Sequence, residues 1–107
     1  MEQRRTRRFK LQLPLSITRS GAERVTFAGF TKNISSSGVL FTAEQEPDLG
    51  GPIEYIIVLN PDGPLEVTLR CMGKVLRSDR LGPLGGESRA GYQVAATLER
   101  YEFVRAQ

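Results

Sequence analysis

Residues 65–75 read LEVTLRCMGKV. Leu65, Val67, Leu69, Cys71 and Val75 keep one phase against Glu66, Thr68, Arg70 and Lys74. That is the period of two of a strand with one face buried. Gly73 falls in the apolar phase, the position of a bulge or a tight barrel corner. Upstream, the turn signal NPDGP (60–64) separates this strand from Ile53, Tyr55, Ile57 and Leu59, which form one face of the preceding segment. Ile56 and Val58 lie on its other face, so covering on both sides is expected. Downstream, the glycine-rich LGPLGGESRAG (81–91) leads into a run in which Tyr92, Val94, Ala96 and Leu98 share a side.

The same alternation extends toward the N-terminus. Val39 and Phe41 share one phase of VLFTAE (39–44), and Val25 and Phe27 share one of RVTFAGFTKNI (24–34). Leu11, Leu13, Leu15 and Ile17 alternate with Gln12, Ser16 and Thr18, and Pro14 suggests an edge or a bulge. SGAE (20–23) makes the first two segments a hairpin. Only ERYEFVRAQ (99–107) reads as helical, with Leu98, Tyr101 and Val104 or Arg105 spaced by three to four residues. The fold predicted is all-β, six short antiparallel strands with a short C-terminal helix. A barrel is preferred to a sandwich because closure removes exposed strand edges. The chain of 107 residues is read as a single domain, 1–107: a flexible basic arm (1–10), a barrel (11–98) and the helix (99–107).

Composition narrows the chemistry. The single cysteine, Cys71, has no partner for an internal disulfide, and the chain contains no histidine for zinc or Cys-His chemistry. Without histidine the commonest catalytic base is missing, and Glu44, Glu46, Asp48, Glu99 and Glu102 fall where solvated faces are expected. A non-enzyme is therefore expected, with no metal and no cofactor. No apolar run reaches the roughly 18 residues of a membrane span, and no secretory segment is legible, so a cytoplasmic location is expected.

Two features fall outside this frame. The net charge of +3 is concentrated in Arg4, Arg5, Arg7, Arg8 and Lys10, which favours an anionic partner at that end or else a solvated tail. NISSSG (33–38) is too polar for a strand interior. Its Asn and Ser side chains could stabilise a turn or present polar groups to a ligand.

Taken together, Arg4-x-x-x-Arg8 followed by Asn33-x-Ser35-x-x-Gly38 resembles the signature of the PilZ domain family, bacterial receptors for the second messenger cyclic di-GMP. RRTRRFKLQLPL (4–15) is similar to that family's opening of arginines and first strand, and YQVAATLE (92–99) takes the place of its closing strand. The glycine and phenylalanine common in that closing strand are missing, and Asn33 stands where aspartate is more frequent. The resemblance implies a PilZ-type six-stranded barrel, often followed by a helix, with cyclic di-GMP as ligand and a downstream protein as partner. By resemblance Arg4 and Arg8 grip the nucleotide and Arg5 assists, while Asn33, Ser35 and Gly38 meet it on the barrel surface. In an extended arm Arg4 and Arg8 lie on one side, about 13 Å apart. The arginine fork matches both phosphate and the O6/N7 edge of guanine.

Two alternatives stand beside this reading. A small nucleic-acid-binding barrel would spread basic and aromatic residues along one strand face. Because Phe27 and Phe41 follow the apolar phase and only Phe30 departs from it, nucleic acid is not the expected partner. The other alternative is a PilZ-like protein-interaction module without ligand.

Overall fold

A computed structural model describes residues 12–81 and 91–105. It contains β1 (Pro14–Ser20), β2 (Glu23–Ile34), β3 (Gly38–Ala43), β4 (Pro52–Val58), β5 (Val67–Leu81), β6 (Gly91–Thr97) and β7 (Arg100–Arg105). All pairings are antiparallel, in the order β4-β1-β2-β3-β6-β5, and β4 also pairs with β5. The sheet thus closes into a six-stranded barrel through the β4–β5 pairing, with the apolar face of each strand turned inward.

The apolar phases converge inside. Ile17, Phe41, Tyr55, Ile57, Cys71 and Val94 are all completely buried, and Val75 and Ala96 nearly so. Phe41 and Tyr55 meet at 5.6 Å between ring centroids, tilted by 36°. Tyr55 is tolerated at the centre because its hydroxyl donates to the Thr97 carbonyl at 3.1 Å. The same carbonyl lies over Gly73, where a Cβ would stand 1.9 Å from the oxygen. Gly73 is the close-packed barrel corner that its place in the alternation suggested.

Two expectations are modified by the pairing. Pro14 does not mark an edge: β1 is flanked by β2 and β4, and Pro14 is its first residue, where the missing N–H does least harm. The outer face of β4 is only half covered, since Ile56 and Val58 have intermediate exposure.

The C-terminal helix is overturned over residues 100–105, which form β7 instead. β7 continues the direction of β6 along β5, with Met72 opposite Arg100 and Val67 opposite Arg105. Six residues cannot sustain a helix alone, whereas Tyr101, Phe103 and Val104 suit a strand and β5 offers an open edge at that level. The corner between β6 and β7 is tied down by Leu98 N–H to the Ser37 carbonyl and Glu99 N–H to the Met72 carbonyl, both 2.9 Å.

Burial pushes the Cys71 thiol up to about 12, and burial likewise raises Tyr55, with Cys71 and Glu99 adding to the effect. Both protonated forms are thus favoured by folding. Their stabilising contribution is complete below the unfolded thiol range near pH ~8.5 and is lost as the pH climbs toward the folded values. The urea midpoint should therefore decline as pH rises above about 9. At neutral pH a disulfide reagent should label Cys71 only when the barrel unfolds; fast stoichiometric labelling of the native protein would contradict the buried position.

Candidate functional site

The loop after β2 is closed by its own polar groups. Ser35 N–H donates to the Gly38 carbonyl at 2.9 Å. The Ser35 hydroxyl donates to the same carbonyl and accepts from the N–H groups of Ser37 and Gly38. Ser35 thus shapes the loop, as a serine in a turn can. Gly38, opening β3, is packed so closely on β6 that a Cβ would lie 3.0 Å from the Ala96 carbonyl.

Asn33 reaches the same place by another device. The register between β2 and β3 shifts between Thr31 and Asn33, so Lys32 is an extra residue in the ladder. Thr31 remains buried and Ile34 packs against the core. Asn33 lies on the outer wall, and Lys32 Nζ donates to Gln93 Oε1 at 3.2 Å.

Asn33, Ser35 and Gly38 border one open cavity of about 450 Å³, with Leu40, Leu76, Arg77 and Ala95 among its other walls. The three signature residues outside the arm are therefore brought together. Arg4, Arg5 and Arg8 lie outside the described residues. Leu40, Leu76, Arg77 and Ala95 were missed by sequence reasoning, because each follows or interrupts an ordinary strand pattern. The polar–apolar pattern Val75-Leu76-Arg77-Ser78, where alternation breaks, was the signal that could have found two of them.

Another depression, of about 410 Å³, is lined by Arg19, Arg24, Glu54 and Arg70. Glu54 neutralises part of it, lying 3.4 Å from Arg19 and 3.9 Å from Arg70, and Glu102 lies 3.5 Å from Arg70. Among the described residues no group of three or more potential metal ligands occurs, and no helix is long and apolar enough to cross a membrane.

Comparison with known proteins bears on the family and the fold. A family model described as "PilZ domain" matches residues 2–100. No curated protein matches. Among solved structures, the chain is similar to the Bacillus subtilis inhibitor of motility MotI/DgrA, with a TM-score of 0.63 and 16% identity. The match covers 95% of this chain and 45% of that protein, so the chain spans less than half of the neighbour's length. At this identity the likeness concerns the fold.

Proposed function

The chain belongs to the PilZ domain family, and on that premise we propose that it is a non-enzymatic cyclic di-GMP receptor domain. The observation that carries the reading is the convergence of Asn33, Ser35 and Gly38 on one cavity of the outer barrel wall. The anchoring of Leu13, just after the arm in sequence, supports it. Leu13 N–H donates to Thr31 Oγ1 and Thr31 N–H donates to the Leu13 carbonyl, both at 2.9 Å. Leu13 is thus held beside Thr31, two residues from Asn33. Five residues of extended chain span up to about 17 Å, so in this reading an arm leaving Leu13 could carry Arg8 to the Asn33 end of the cavity.

In this reading Arg4 and Arg8 take phosphate and guanine groups with Arg5 assisting. Asn33 offers its amide, the Ser35–Gly38 loop sets the shape, and arm closure changes the surface shown to a cytoplasmic protein partner. Calorimetric titration should give saturable binding of cyclic di-GMP in preference to GTP, GMP and short single-stranded DNA. Binding of none of them would leave a PilZ-type interaction module.

A second reading rests on β7, where Tyr101 and Phe103 are exposed on one face with Arg105 and meet edge-on at 6.2 Å. Exposed aromatics with nearby arginines suit base stacking. Steeply salt-dependent binding of DNA with no response to cyclic di-GMP would transfer support to it.

A further inference from the structure

The register of β5 against β6 shifts between Val75 and Arg77, so Leu76 is an extra residue. In an unbroken strand Arg77 would share the inward phase of Val75. The bulge turns Arg77 outward and puts Ser78 opposite the buried Val94 instead. This has a cost, because Ser78 Oγ is buried with no hydrogen-bond partner among the described residues. The bulge is also held in place, since Val75 exchanges hydrogen bonds with Gly50 N–H and the Gly51 carbonyl on the other edge. Bulges that re-aim a side chain at such a cost recur beside binding sites.

The re-aimed arginine completes a row across the outer wall. Asn33 stands opposite Leu40, Leu40 opposite Ala95, and Ala95 opposite Arg77. At ~4.8 Å per strand, Asn33 and Arg77 are about 14 Å apart, with the apolar floor of Leu40 and Ala95 between them. Asp79 Oδ2 lies 3.2 Å from Arg77 Nε, which steadies the stem; among the described residues the two terminal amino groups make no ion pair. An ion pair this exposed is weak enough to yield to a ligand.

We infer that Arg77 is a further specificity-determining residue, reading the O6/N7 edge of a guanine that lies on the Leu40–Ala95 floor. The inference rests on the cyclic di-GMP reading above. An apolar floor suits a flat base better than a phosphate, and a fork at its rim meets the base in its plane. Adenine replaces the O6 acceptor by an amino donor and would be rejected there.

The test titrates the full chain and its variants with cyclic di-GMP and with cyclic di-AMP, which has the same sugar–phosphate ring. Arg77→Ala should lower affinity for cyclic di-GMP about 10-fold or more and narrow the preference over cyclic di-AMP. Arg77→Lys, which keeps the charge but lacks the fork, should lose nearly as much. Arg80→Ala removes the same charge from the same strand and should stay within about 2-fold. Asp79→Asn keeps the fork and should bind at least as well as the original chain. Unchanged affinity in Arg77→Ala, or an equal loss in Arg80→Ala or Asp79→Asn, would overturn the role of Arg77 while leaving the receptor reading intact. Failure of the unsubstituted chain to bind cyclic di-GMP would overturn both.

Discussion

Arg8→Ala is expected to weaken cyclic di-GMP binding about 100-fold, and Arg4→Ala comparably, since each removes a bidentate, charge-assisted contact of roughly 1.5–3 kcal/mol per hydrogen bond. The effect should exceed that of Arg77→Ala for a physical reason. Arg77 sits on a strand already ordered by β6, whereas under the proposed arm closure the contacts of Arg4 and Arg8 would also have to offset the entropy of ordering the arm, about 1–2 kcal/mol per residue. Removing either arginine leaves the other with too little to hold the segment. If the two arginines act on the ligand alone, the ligand-free melting temperature should hardly move. Calorimetry paired with thermal melting decides the matter. Full affinity in either variant would refute the grip, and a large drop in melting temperature would make that arginine structural.

Phe41→Ala should cost about 3–5 kcal/mol, a large part of the ~5–15 kcal/mol that holds a domain together. Phe41 is completely buried, packs on Tyr55 and lies beneath the wall that carries Leu40 and Thr42. The alanine leaves a cavity bounded by strands that hydrogen bonds fix on both edges, so relaxation can recover little of the loss. A fall in melting temperature of more than about 12 °C is expected in a chain of this size. Urea unfolding would give the free energy directly. A cost under about 1 kcal/mol would mean that the barrel centre can collapse, contrary to the packing described.

Where sequence reasoning succeeded and where it failed have different physical origins. The barrel was legible because period-two burial is a local property: Leu69, Cys71, Val75, Val94 and Ala96 could be assigned to the interior without knowing their neighbours. Gly73 was legible for the same reason, as a residue without a side chain in an inward phase. The segment 99–107 was ambiguous by construction. Leu98, Tyr101 and Val104 fit a helical spacing, while Tyr101, Phe103 and Arg105 fit a strand equally well. The choice between them depended on the open edge of β5 at Val67–Met72, which no local pattern reveals.

The candidate site divides along the same line. Asn33, Ser35 and Gly38 could be singled out as residue types at a spacing, and the Ser35–Gly38 hydrogen bonds are local enough to follow from that spacing. The sequence by itself therefore determined the six barrel strands, their inward phases up to the extra residues, and the polar loop, because each depends on residues close along the chain. Only the tertiary structure decided that β7 replaces a helix, that extra residues at Lys32 and Leu76 break the phase, and that Asn33 and Arg77 face each other across Leu40 and Ala95. The reason is that register between strands is a property of pairs far apart in sequence, and one extra residue in a ladder reverses the facing of the side chains after it.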